Sequence, residues 1–138
     1  MKNIRVYLRY PFKVSDSQYY KSMIENPPKN IEYISGKKVG MLINKRNLAI
    51  NNFFKTRLRL FIEKFNFPIL NTRKIDYSGD YDIVHYAHCL GEENTNKPWV
   101  ADFENLWQMW ISGRDTRNGI LRARKILKDH NCKKIIAW

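Results

Sequence analysis

The sequence has few cysteines, few glycines and prolines, and no long apolar run. Its two cysteines, Cys89 and Cys132, are too few for a disulfide framework or a zinc cluster and suit a reducing compartment. With only 6 glycines and 5 prolines, the chain is neither collagen-like nor of low complexity. No apolar run approaches the roughly 20 residues that cross a bilayer, and the charged N-terminus is unlike a signal peptide. These absences predict a soluble, cytoplasmic protein.

Two phosphate-binding motifs are also absent. Neither GxGxxG nor GxxxxGK[ST] occurs, so the sequence lacks the glycine-rich loops of dinucleotide-binding and P-loop proteins. A hydrophobic fraction of 43% excludes a disordered basic tail. The 138 residues suffice for one domain, residues 1–138, and are too few for two full cores.

Positive charge is concentrated in the first part of the chain. Residues 1–80 hold 16 Lys and Arg against 6 Asp and Glu, whereas residues 81–138 hold 9 against 7. A field of this sign attracts nucleic acid, anionic lipid or phosphorylated ligands, and an ordinary solvated surface is the alternative. The residues that we expect to form an anion-binding or membrane-facing surface are Lys45, Arg46, Lys55, Arg57 and Arg59.

Short apolar strands alternate with longer helical segments. The predicted strands are Asn3–Tyr10, Ile31–Ile34, Asp82–Ala87, Trp99–Phe103 and Lys133–Trp138. Helices that connect such strands favour a mainly parallel sheet, in a Rossmann-like α/β sandwich of three layers. Because the chain ends on a strand, where a loop and a helix usually follow, a truncated or split protein is an open alternative.

The longest predicted helix, Arg46–Phe65, carries an apolar stripe. Apolar residues recur every three or four positions, which places them on one face of the helix. They are Ile50, Phe54, Leu58, Phe61 and Phe65. We expect this face to pack on the sheet. A second helix is predicted at Arg117–His130, with Asp115 as its cap.

Two histidines lie in or just after the strand Asp82–Ala87. His85 falls within the apolar run and is expected to be a hydrogen-bonded core residue. His88 follows the strand, where ligands bind in open α/β sheets; it would transfer a proton, contact a substrate or be an ordinary loop histidine. Too few ligands converge with Cys89 for a metal site, so no metal is expected.

Six further polar or aromatic residues lie near the ends of other strands or in a later loop. They are Arg9, Tyr10, Asp102, Glu104, Asn105 and Arg114. Asp102 and Glu104 are two positions apart; they would either work as an acid–base pair or, with Asn105, cap the next helix. Arg9 and Arg114 are candidate contacts to a phosphate group.

Three blocks of the second half occur in a familiar order and spacing. They are Asp82–His85 (DIVH), Pro98–Asn105 (PWVADFEN) and Lys133–Ala137 (KKIIA). They resemble the N-terminal domain of retaining glycosyltransferases of the GT-B fold, of the group 1 type (glycosyltransferase family 4). Two features depart from that family: residues 9–15 contain no glycine-rich loop, and Glu104–Asn105 stands where many members have His-Asp.

The resemblance implies the acceptor-side half of an enzyme that moves a sugar from a nucleotide-sugar to an acceptor, such as a lipid-linked or glycan acceptor. It implies that His88 and Glu104 lie near the transfer point, and that Tyr10, Asp102 and Asn105 help to hold the acceptor. Family members bind the nucleotide-sugar through a C-terminal domain, so these 138 residues are expected to bind no cofactor and to be inactive alone. The basic surface would then face the inner side of a membrane.

Two other functions fit parts of the sequence. A nucleic-acid-binding module would use the basic segment Lys45–Lys64. Its aromatic residues lie on the apolar stripe and are not expected to be free to stack on bases, so nucleic acid is an unlikely partner. A receiver-like or flavodoxin-like signalling domain would need an acidic cluster after the first strand, which this sequence lacks.

Overall fold

The computed structural model describes residues 3–10, 17–35, 57–58, 60–62, 64–75, 77–93, 95–113 and 116–137. Its strands, in chain order, are β1 (Ile4–Arg9), β2 (Ile31–Ser35), β3 (Ile69–Leu70), β4 (Thr72–Arg73), β5 (Ile83–Ala87), β6 (Leu90–Gly91), β7 (Trp99–Phe103), β8 (Trp110–Ser112) and β9 (Cys132–Ala137). Its helices are α1 (Gln18–Glu25), a 3-10 helix (Leu106–Met109) and α2 (Arg117–Leu127). Residues 57, 58, 60–62 and 64 are also helical.

The centre of the fold is a five-stranded sheet in the order β2-β1-β5-β7-β9, in which every neighbouring pair is parallel. The predicted α/β class and mainly parallel sheet are therefore confirmed, and both are consistent with a Rossmann-like fold. The chain builds outward from β1 to β2 and then crosses to the other side at β5. This reversal makes the carboxyl ends of β1 and β5 a topological switch point, the usual place for a ligand in such sheets.

The two faces of the sheet are covered differently. On one face, Tyr20 of α1 packs with Leu8 and Ala87 in a small cluster. The other face carries the main core, which contains 13 buried residues, including Trp99 and Phe103. Ala123 and Ile126 of α2 are also part of that core, as are residues of the short strands. The side chains alternate along each strand, so neighbouring residues belong to different faces.

Local hydrogen bonds fix where the helices begin. Ser17 caps α1, because its hydroxyl accepts from the backbone N–H of Tyr20 at 3.4 Å. Thr116 caps α2 by accepting from the N–H of Gly119 at 3.0 Å, so the cap lies one residue after the predicted Asp115, which is outside the described residues. The helix ends at Leu127, three residues before the predicted His130.

The prediction that the apolar stripe packs on the sheet is wrong for its described members. Leu58, Phe61 and Phe65 are 60%, 59% and 54% exposed. Helical spacing determines which side chains share a face, but it does not determine what that face contacts. Here other elements, α1 and α2 among them, supply the residues packed on the sheet. In the described ranges, no helix combines the length and apolar character that crossing a bilayer requires.

Candidate functional site

His88 lies directly after β5, at the switch point, in a strained backbone conformation. Its φ is +56°, in the left-handed region that a residue with a Cβ rarely adopts. The peptide is held on both sides: its N–H donates to the backbone oxygen of Asp102 at 3.0 Å, and its carbonyl accepts from Asn71 Nδ2 at 2.8 Å. Strained residues of this kind persist where surrounding contacts over-determine them and are concentrated at functional sites.

The imidazole ring of His88 is positioned by two further side chains. Its Nδ1 lies 3.1 Å from Oε1 of Gln108, an oxygen that also accepts from the backbone N–H of Glu104 at 3.0 Å. Its Nε2 lies 3.3 Å from the hydroxyl of Tyr20. Because an amide oxygen only accepts, Nδ1 carries a hydrogen in this arrangement. Gln108 and Tyr20 thus fix the rotation of the ring, and Gln108 favours the neutral tautomer that carries its hydrogen on Nδ1.

Asp102 is the buried centre of the network. It is only 1% exposed, and its Oδ1 accepts from the hydroxyl of Tyr20 at 2.7 Å. Its Oδ2 lies 3.0 Å from Nε2 of His85, and Oδ1 also accepts from the N–H of His88 at 3.3 Å. Burial opposes ionisation, but the hydrogen bonds from His85 and Tyr20 outweigh it and leave the pKa of Asp102 below its ordinary value. The carboxylate therefore stays charged beneath α1.

The single hydroxyl hydrogen of Tyr20 determines how its hydroxyl group contacts His88. Tyr20 has a single hydroxyl hydrogen, which it donates to Asp102, so its oxygen can only accept from Nε2 of His88. Burial, followed by the bond to Asp102, raises the pKa of Tyr20, which keeps it a neutral donor. The contact to His88 is therefore complete when Nε2 carries a hydrogen. With Nδ1 bonded to Gln108, Nε2 is the position at which the ring gains or loses its second hydrogen, which suits proton exchange with a bound group.

An aromatic wall surrounds this network. The ring of Tyr10 lies 4.5 Å from that of Tyr20 and 6.2 Å from that of His88, between ring centroids. Tyr33 of β2 lies 6.4 Å from His85. These rings pack around the polar network, and the ring of Tyr10 is only half-buried.

The structure brings most of the predicted site residues to the same edge of the sheet. His85 is the hydrogen-bonded core histidine that the sequence predicts. His88 and Tyr10 line the site, and exposed Glu104 contacts Gln108, whose Nε2 donates to Glu104 Oε2 at 3.5 Å. Arg9 lies at the same edge, but alternation along β1 turns its side chain to the main-core face, where its Nε donates to the backbone oxygen of Lys74 at 3.1 Å.

Two predicted roles need correction. Asp102 was expected to contact an acceptor or to pair with Glu104, but strand alternation turns it into the buried face, where it contacts Tyr20 and both histidines. Asn105 precedes the 3-10 helix, but its side chain makes no capping hydrogen bond. Arg114 lies outside the described residues, as do Lys45, Arg46, Lys55 and Arg59 of the basic surface.

Three residues of the site were not predicted from the sequence. No motif in the sequence marks Tyr20 or Gln108. Asn71 joins the site through its side chain, because Nδ2 donates to the backbone oxygens of His88 and Gln108. Sequence spacing gives no signal for such long-range bonds.

Two cavities lie away from this network. One, of about 490 Å³, is lined mainly by residues of β3 and α2, including Leu70 and Arg122. The other, of about 320 Å³, is lined by residues that include Arg73, Tyr86 and Lys97. Among the described residues, no group of three or more His, Cys, Asp and Glu side chains is arranged to hold a metal ion.

Comparisons with protein-family models, with curated proteins and with solved structures find no match to this chain. The function is therefore inferred from the geometry of the site.

Proposed function

We propose that this domain is the acceptor-side half of a retaining glycosyltransferase, with His88 at the point of sugar transfer. In this proposal the parallel sheet is the centre of a three-layer, Rossmann-like N-terminal domain of the GT-B fold. A C-terminal half supplies the nucleotide-sugar, and the domain works in the cytoplasm at the inner face of a membrane. The same strand order occurs in flavodoxin-like proteins, so the proposal depends on the site and not on the topology.

The observation that carries the proposal is the conformation of His88. A histidine at φ +56°, bound through its N–H, its carbonyl and both ring nitrogens, is held far more firmly than a loop residue needs for stability alone. It lies at the switch point, with Nε2 next to Tyr20 and the buried charge of Asp102 one hydroxyl group away. This arrangement suits contact with, and proton exchange at, a hydroxyl group of a bound acceptor.

Neighbouring residues suit the recognition of a polar acceptor. Glu104 is exposed at the end of β7, where its carboxylate can accept hydrogen bonds from sugar hydroxyls. Tyr10 is half-buried against Tyr20 and adds an aromatic surface. Arg9 ends β1 on the other face of the sheet, so a phosphate contact by Arg9 would lie away from His88.

The proposal is tested by titrating the domain with a panel of p-nitrophenyl monosaccharides and following the histidine ring signals by NMR. We expect at least one glycoside to bind saturably and to shift the His88 signals. His88→Ala should abolish the binding. His130→Ala is the matched control, since the side chain of His130 is 88% exposed and should leave binding unchanged. If no glycoside shifts the His88 signals, the acceptor role is wrong.

A second assay addresses the donor. The domain is incubated with UDP-glucose, UDP-N-acetylglucosamine or GDP-mannose, each with the glycoside that binds best. We expect no transfer, because the nucleotide-sugar half is not part of these 138 residues. Transfer catalysed by the domain alone would contradict the proposal that it supplies only the acceptor side.

A membrane-facing surface is a further part of the proposal. Phe61, Phe65 and Phe67 are exposed and their rings are adjacent, with centroids 4.8 Å and 6.0 Å apart along the series. Arg57 and Lys64 lie in the same segment. Exposed aromatic residues combined with basic residues are typical of helices that lie on anionic membrane surfaces.

Vesicle flotation tests this surface. We expect the domain to float with vesicles that contain phosphatidylglycerol and not with vesicles of phosphatidylcholine alone. The double substitution Phe61→Ser and Phe65→Ser should abolish flotation, and Leu121→Ser, at an exposed apolar position on α2, serves as the control. Salt-sensitive binding to a random oligonucleotide without vesicle binding would instead favour the nucleic-acid-binding alternative.

A further inference from the structure

Tyr86 has a buried hydroxyl without a hydrogen-bond partner. The residue is 0% exposed in the middle of β5, and no partner for its Oη is found within the described part of the chain. Its ring packs edge-on against Trp99, with centroids 5.7 Å apart. Burial raises the pKa of Tyr86, so the group remains a neutral donor. A buried donor that has left water and found no acceptor is unfavourable, and each such group calls for an explanation.

The surroundings of Tyr86 supply an explanation for the missing hydrogen-bond partner. Tyr86 lines the cavity of about 320 Å³, which is large enough for a small ligand. The cavity is on the main-core face of the sheet, opposite the network of Asp102 and His85, since Tyr86 follows His85 directly along β5. It is therefore a second site, separate from that of His88.

The charges around the cavity favour an anion. Its lining includes the cations Arg73, Lys74 and Lys97 and the carboxylates Glu92 and Glu93. Glu93 is already paired with Lys125, with 2.7 Å between Nζ and Oε2. Among the described lining residues, three cations therefore face one carboxylate, Glu92, that is not already paired in this way.

The donors of the cavity point to the same class of ligand. Lys97 donates one hydrogen to the backbone oxygen of Tyr81 at 3.1 Å, and an ammonium group has two more hydrogens to donate. Arg73 carries a guanidinium, which matches the geometry of a phosphate or carboxylate. An oxyanion would accept from these groups, and from the hydroxyl of Tyr86 once its entry opens the cavity wall over that atom, which is buried in the free domain.

We propose that this cavity binds a small oxyanion, a phosphate or a carboxylate, and that the hydroxyl of Tyr86 is its buried donor. Glu92, at the same cavity, accepts a hydrogen bond from a hydroxyl group carried by the ligand. The chemical class is therefore a small hydroxylated phosphate or carboxylate. The site does not depend on the glycosyltransferase proposal, and its failure would leave that proposal untouched.

The test is calorimetric titration with inorganic phosphate, acetate and glucose 6-phosphate as the probes. We expect at least one oxyanion to bind with a Kd tighter than about 10 mM. Glucose 6-phosphate should bind more tightly than inorganic phosphate if the site prefers phosphate, because Glu92 gains a hydroxyl partner. Tighter binding of acetate would identify carboxylates as the preferred class. Absence of saturable binding by all three probes would overturn the proposal.

Tyr86→Phe separates a ligand donor from a structural group. The ring on Trp99 is kept, and only the hydroxyl without a partner is removed. The free variant should be as stable as the wild-type protein or more stable, while its affinity for the best oxyanion falls by about tenfold or more. A variant that is less stable when free, or that binds as tightly as the wild type, would contradict the proposal.

Two charge substitutions complete the test. Arg73→Gln should weaken oxyanion binding, since it removes a cation that lines the cavity. Lys134→Gln is the control, since it removes an exposed cation from β9. Lys134 pairs with Val100 in the sheet and is not among the lining residues given above. Equal losses in the two variants would show that overall charge, and not the cavity, attracts the anion.

Discussion

The two faces of the central sheet are built from different chemistry. One face carries a core of 13 buried residues, nearly all of them apolar or aromatic. Among the described residues, the other has a cluster of three buried ones, Leu8, Tyr20 and Ala87, next to the buried polar pair His85 and Asp102. Apolar burial is non-directional, whereas hydrogen bonds fix positions and angles. Within the described part of the chain, the first face therefore supplies most of the apolar burial, and the second positions His88.

The largest effect should come from the apolar face. Phe103→Ala empties a fully buried position of the main core. We expect the free energy of unfolding to fall by about 3–5 kcal/mol, measured by urea denaturation. Ile120→Ala, at a half-exposed position on α2, is the control and should change it by less than about 1 kcal/mol. Similar losses at both positions would mean that Phe103 is not packed in a core.

The polar face should respond to charge and pH. Asp102→Asn keeps the shape of the side chain but removes the charge that Tyr20 and His85 contact. We expect the free energy of unfolding to fall by about 2–3 kcal/mol. Because the folded-state pKa of Asp102 is lowered, its contribution is present above the unfolded value of about 4 and is lost as the pH falls through the lower folded value. As the pH is lowered, the free energy of unfolding should therefore decrease less in the variant than in the wild-type protein.

The control for that experiment is Glu25→Gln. Glu25 is exposed at the end of α1 and forms only a surface pair with Lys21. The free energy of unfolding of the Glu25→Gln variant, and its dependence on pH, should be close to those of the wild-type protein. An Asp102→Asn variant with the wild-type acid profile would show that Asp102 is not held as a charged group.

The smallest effect concerns the backbone of His88. At φ +56° a glycine is less strained than an alanine, so His88→Gly should be more stable than His88→Ala by about 1 kcal/mol. At His130, where no positive φ occurs, the order should reverse. Both pairs are compared by thermal unfolding. If His88→Ala is the more stable of its pair, the strain at the site is absent.

The sequence was sufficient to predict what depends on local pattern. Apolar runs identified β1, β2, β5, β7 and β9 to within a residue or two, and their alternation with helices indicated the parallel sheet. The position of His88 after a strand also placed it at the ligand edge. These features follow from the spacing of apolar residues along the chain.

The partners of His88 could not be predicted in this way. Tyr20 is 68 residues away in sequence and Gln108 is 20 away, and they meet His88 only through the order of the strands and the placement of α1. The exposure of Phe61 was missed for a related reason: periodicity identifies a shared face but not its contact. Tertiary packing determines both.

The central claim is that the polar face holds the ring of His88 in one orientation, with Nδ1 bonded to Gln108. It is tested most directly by the ring nitrogen shifts of His88 in long-range ¹H–¹⁵N NMR spectra. The spectra are recorded near pH 8, above the ordinary histidine pKa of about 6.5. We expect the hydrogen of the neutral ring to lie on Nδ1, and Gln108→Leu to abolish that preference. A neutral ring with its hydrogen on Nε2, unchanged by Gln108→Leu, would contradict the claim.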